Sequence, residues 1–92
     1  MRVGDAERGN LAKAFAPSLK SVLTNKDDAG KIGLLGFLIA AVEGSADENR
    51  SAKEALGEAE PIEGIKEAAA SATPAIAQRA ASLLAAVTPQ AN

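Results

Sequence analysis

The chain has 92 residues and a formal net charge of −2, with acids and bases interspersed; this suits one small domain and lacks the basic block that phosphate tracking needs. Cys, His, Trp and Tyr are absent, and Phe15 and Phe37 are the only aromatic residues. The chain therefore supplies no disulfide, thiolate nucleophile, imidazole base, Cys or His metal ligand, or aromatic platform for single-stranded nucleic acid.

Alanine is abundant, while β-branched and aromatic residues are too scattered for several strands, so an all-α chain is expected. Turn and cap signals divide it into about six helices. Asp5 is a candidate N-cap for a helix reaching about residue 16. Pro17 opens a second, with Leu19, Val22 and Leu23 on one face, because the first helical position needs no N–H. Asp27 or Asp28 caps a third, which carries the apolar run IGLLGFLIAAV (residues 32–42). That run falls short of the roughly 20 residues that cross a bilayer, so it is expected to be a buried helix. Gly44 is expected to end it in a left-handed conformation.

The stretch SADENRSAKEAL (residues 45–56) reads as a helix start and not a reaction site. Ser45 and Glu48 have capping-box spacing, Asp47 and Glu48 suit the positive end of a helix, and Ala52, Ala55, Leu56 and Ala59 form one apolar stripe. Gly57 is a candidate terminator. Pro61 opens a fifth helix, with Ile62, Ile65 and Ala69 inward and Glu63, Lys66 and Glu67 outward. Thr73 caps the last helix and Pro74 takes its first position; Ile76, Ala80, Leu83, Leu84 and Val87 line its buried side, and Thr88-Pro89 stops it.

The two halves correspond. Asp5 and Arg8 precede Asp47 and Arg50 by 42 residues, Pro17 and Pro61 each follow the first helix of their half, and GFLIAAV (residues 36–42) parallels ASLLAAV (residues 81–87). Each half reads as a short helix, a Pro-started helix and a longer buried helix, which is a repeat signature.

DENRSAKEALGEAEPIEGIKEA and IAQRAASLLAAV resemble an armadillo repeat, to which HEAT repeats are a near relative. APSLKSVL and KDDAGKIGLLGFLIAAV follow the pattern more loosely. The resemblance implies a short right-handed α-solenoid of two three-helix repeats: one domain over residues 1–92, with repeat one at about 5–46, repeat two at about 47–88 and a short tail at 89–92. It also implies a peptide-binding surface on the third helices and an arginine, Arg50, that ties the short helix to a neighbouring turn or meets a peptide. The positions of the importin-type asparagine ladder fall on Ala41 and Ala86, and those of its tryptophans on Phe37 and Ser82. Recognition of nuclear-signal peptides is therefore not expected. The candidate partner-binding residues are Phe37, Leu38, Ala41, Arg50, Ser82, Ala85 and Ala86.

Other constellations favour structure over chemistry. Glu58, Glu60 and Glu63 lack calcium-loop spacing and read as a solvated acidic patch. Gly30, Gly33 and Gly36 lack the lysine and hydroxyl of a phosphate loop and read as a thin stripe where a neighbour packs closely. Lys31 and Lys53 are expected at the surface, and Ser18, Ser21, Ser71 and Ser82 have no histidine to activate them. No catalytic residue, metal or cofactor is assigned.

The leading expectation is a non-catalytic protein–protein interaction module, a structural or accessory subunit of a larger assembly. Alternatives are an armadillo-type regulator of a chaperone ATPase, resembling a nucleotide-exchange factor, and a freestanding helical bundle without repeat ancestry. Two repeats are few for independent stability, so an exposed end of the solenoid is expected to be apolar and covered by a partner protein or a second copy. Neither nucleic-acid binding nor membrane insertion is expected. The opening MRVGDAERGN lacks the apolar core of a secretory signal, so an intracellular location is expected.

Overall fold

The computed structural model describes residues 4–44 and 46–87. These residues fold into helices α1 (Asp5–Phe15), α2 (Leu19–Asn25), α3 (Asp28–Glu43), α4 (Asp47–Leu56), α5 (Ala59–Ala69) and α6 (Pro74–Val87). A 3-10 turn, Ala16–Ser18, joins α1 to α2 without a non-helical residue between them. The first two helices are therefore one bent rod, and only five helical segments are separated by non-helical linkers. Pro17 lies inside the 3-10 turn, and the bend falls at Ser18, where φ is −116° and ψ is 12°. Among the described residues there is no strand.

Local chemistry accounts for most boundaries. The Asp27 carboxylate accepts a hydrogen bond from the Gly30 N–H at 2.8 Å, satisfying one of the free donors at the start of α3. Asp47 and Glu48 occupy the first turn of α4, where acidic side chains complement the macrodipole. The Gly57 N–H donates to the Lys53 and Glu54 carbonyls at 3.1 Å and terminates α4, as expected of that glycine. The Thr73 carbonyl accepts from the Ala77 N–H at 3.0 Å and so opens α6 ahead of Pro74.

Five boundaries differ from the sequence reading, the first being that α2 opens at Leu19 and not at Pro17. Gly4 is the N-cap of α1, and Asp5 is its first residue. Ala46 is the N-cap of α4, which displaces the expected capping box; Ser45 itself lies outside the described residues, as does the Thr88-Pro89 stop. The fifth helix opens at Ala59, and Pro61 takes its third position, where its missing N–H still costs nothing. Ala59 is therefore an exposed residue of α5, and not part of the stripe on α4. Gly44 is not left-handed: its φ of −67° and ψ of 157° are extended. The reason is a donor supplied from elsewhere. The Asn49 side-chain amide, reaching back from α4, donates to the Ala41 carbonyl in the last turn of α3, a group that a left-handed cap would otherwise help satisfy.

Helices of the first half pack on helices of the second: α1 on α4, α2 on α5 and α3 on α6. Further contacts join α5 to α6, α1 to α3 and α3 to α4. The molecule measures 39 × 34 × 20 Å, and its thinnest dimension equals about two helix diameters. Leu19, Leu35, Leu38, Leu56, Ile65, Ile76 and Leu83 are fully buried. Each contributes about 1.5–3 kcal/mol relative to exposure.

Glycines set the closest approaches between helices. A Cβ on Gly9 would lie 2.6 Å from the Glu48 carbonyl group, and one on Gly64 would lie 2.8 Å from the Lys20 Cα. Both distances are shorter than a carbon–carbon contact allows, so α1 meets α4, and α5 meets α2, at backbone distance. The expected close-packing stripe on α3 is only partly present. Gly36 lies beneath the Arg79 side chain, but a Cβ on Gly33 would meet nothing within 4 Å.

Candidate functional site

Polarity divides the surface by helix. The exposed side chains of α4 include Asp47, Arg50, Lys53 and Glu54, and those of α5 include Glu60, Glu63, Lys66 and Glu67. On α3, no polar side chain occurs between Lys31 and Glu43, although Ala29, Gly33 and Ala40 are exposed and Ile32, Gly36, Phe37 and Ile39 are half-buried. On α6, Arg79 is the only charged residue, and Ala75, Ala81, Ser82 and Ala85 are exposed. A helix that is apolar on all sides belongs in an interior. Here α3 is covered by α1, α4 and α6 on one side and leaves the other open.

The open sides of α3 and α6 meet at a hollow of about 330 Å³ lined by Ile39, Ala75, Gln78, Arg79 and Ser82. Arg79 reaches across it, with its Nη1 2.9 Å from where a Gly36 Cβ would stand. The two helices are also tied at their N-termini, where the Thr73 hydroxyl donates to the Asp28 carboxylate at 3.3 Å.

The sequence-derived candidates are dispersed. Ser82 and Ala85 are exposed on α6, while Ala86 on α6 and Phe37 on α3 are half-buried. Leu38 and Ala41 are fully buried and have no surface to offer a partner. The reason is rotational: they lie on the side of α3 that faces the core, whereas the open side carries Ala29, Gly33, Gly36 and Ala40. Arg50 lies on α4 and pairs with Asp47 at 2.6 Å within its own helix. Ile39, Ala75, Gln78 and Arg79 were not among the candidates. Arg79 had a sequence signal, as the lone charge of its helix; the others had none.

Two other hollows differ in character. One, of about 280 Å³, is walled by Leu23, Gly64 and Ile76 and carries one residue of each charge, Lys31 and Glu67. Another, of about 320 Å³, joins Lys13 and Pro17 to Glu58, Glu60 and Pro61. Glu58 and Glu60 are exposed, and Glu63 pairs with Lys20 at 3.3 Å. Among the described residues no cluster of three or more acidic side chains has metal-binding geometry, and no helix is long and apolar enough to cross a membrane.

Comparison of the chain with protein-family models, with curated proteins and with solved structures finds no significant match.

Proposed function

We propose that the chain is a non-catalytic protein–protein interaction module: an armadillo-like pair of three-helix repeats, at about residues 5–46 and 47–88, that serves as a structural or accessory subunit. The observation that carries the docking role is the open surface of α3 and α6, which is built of small and apolar residues around a single charge, Arg79, beside the densely charged exposed faces of α4 and α5. Apolar surface of this kind marks interaction sites. The pairing of α1 with α4, α2 with α5 and α3 with α6 supports the repeat reading, because stacked repeats contact their neighbours helix by helix.

Site-specific photo-crosslinking in the native cell tests the docking role. A photoreactive residue at Ala40 or Ser82 is expected to give discrete adducts with a partner protein, and one at Lys53 on α4 is not. Equal labelling from both faces rejects the reading. A second contact, with a partner or another copy, is proposed at α1. Leu11 is the one exposed large apolar side chain among the described residues, and Phe15 is half-buried one turn on. Self-association there is expected to make the melting temperature rise with concentration, and Leu11→Glu to abolish that rise. A concentration-independent melt of the parent removes the second copy as the occupant.

A further inference from the structure

Arg79 is exposed, and its guanidinium lies over α3 at Gly36, where the missing side chain leaves room for it. It has no acidic partner among the described residues. The acids of α3 itself are distant. Glu43 is seven residues from Gly36, about 10 Å along the helix, and Asp28 is eight residues away, about 12 Å. Asp28 also accepts a hydrogen bond from Thr73. The hollow therefore presents one uncompensated cation among Ile39, Ala75, Gln78 and Ser82. A guanidinium offers a planar fork that matches a carboxylate, and the pair is strongest where apolar neighbours exclude water. The small side chains of Ala75 and Ser82 allow a partner backbone to approach, and the Gln78 amide both donates and accepts hydrogen bonds.

We infer that the α3–α6 hollow receives a partner-protein segment carrying an Asp or Glu flanked by small apolar residues, with Arg79 selecting the carboxylate. The inference rests on the docking role of this surface and adds the chemistry of what docks.

A randomised dodecapeptide display library panned on the full chain tests it. Recovered peptides are synthesised and retained as ligands of the hollow if they shift the backbone amide resonances of Gly36 and Ile39. The expected result is enrichment of Asp or Glu beside Ala, Val or Leu. Replacing that acid by its amide weakens binding about tenfold, the loss of roughly one charge-assisted hydrogen bond. Arg79→Glu is expected to invert the preference toward Lys and Arg. Arg79→Gln, which keeps the length and removes the charge, is expected to abolish it, and both variants are expected to melt like the parent because Arg79 is exposed. Peptides that occupy the hollow without acid enrichment, or whose acid preference survives Arg79→Gln, overturn this inference and leave the docking role standing. Recovery of no peptide that shifts Gly36 and Ile39 overturns both.

Discussion

The α1–α4 junction and the α3–α6 junction join their helices in opposite ways. At the first, Gly9 brings α1 to backbone distance from Glu48; the next residue, the fully buried Asn49, then ties α4 to the end of α3. At the second, Ile39, Ala75 and Ser82 leave a hollow that Arg79 bridges from above. A glycine therefore has different consequences in the two places. Gly9 closes a contact because backbone fills the space its Cβ would take. Gly36 leaves room only for the end of a flexible side chain, and Gly33 faces open space. A closed junction supplies stability and an open one supplies surface.

Substitutions sharpen that contrast. The largest effect is expected from Gly9→Val, whose side chain would collide with the backbone of α4 at Glu48. Overpacking of this kind costs about 3 kcal/mol, which lowers the melting temperature by more than 10 °C in a domain of this size. A thermal melt followed by circular dichroism measures it, and a shift below about 3 °C would mean that α1 and α4 are not in backbone contact. Next is Asn49→Ala, expected to cost about 2 kcal/mol because it removes a buried hydrogen bond and leaves the Ala41 carbonyl without that donor. A Cβ on Gly44 would lie 2.5 Å from the Asn49 side chain. Gly44→Ala should therefore be costly alone and tolerated beside Asn49→Ala. Urea titrations of the four proteins should give a coupling of about 1 kcal/mol; strict additivity would separate the two residues.

At the open junction the sign reverses. Gly33→Ala fills only solvent and restricts the unfolded chain, so it is expected to stabilise by about 0.5–1 kcal/mol; loss of stability would mean that the open face of α3 is already occupied. The smallest effect is expected from Glu63→Gln, which breaks the exposed Lys20–Glu63 pair. It should cost under about 0.5 kcal/mol and diminish as salt is raised. A larger loss that shrinks as salt is raised would show that α2 and α5 depend on that pair more than on the close approach at Gly64.

Much of the local architecture was legible from residues alone, because caps and prolines act over three or four positions. Asp27, Gly57 and the Thr73-Pro74 pair mark boundaries that hold. So do the inward faces of α2, α5 and α6, whose apolar residues recur at helical spacing. Gly44 was misread because the donor that satisfies the end of α3 comes from Asn49, on the next helix. The candidate surface was legible only as a pair of helices. Leu38 and Ala41 belong to the same apolar run as Ile39 and Ala40, and in a helix without polar residues the sequence carries no mark of which side faces out.

The sequence by itself determined the all-helical class, the boundaries at Asp27, Gly57 and Thr73-Pro74, and the absence of thiol, imidazole and indole chemistry. All of these follow from residue type and short-range spacing. Only the tertiary structure decided that helices meet at backbone distance at Gly9 and Gly64, that Asn49 is buried across a junction, and that α3 and α6 leave a surface of small and apolar residues open with Arg79 over Gly36. Those outcomes depend on which face of each helix meets a neighbour, and that is settled by packing between segments far apart in the chain.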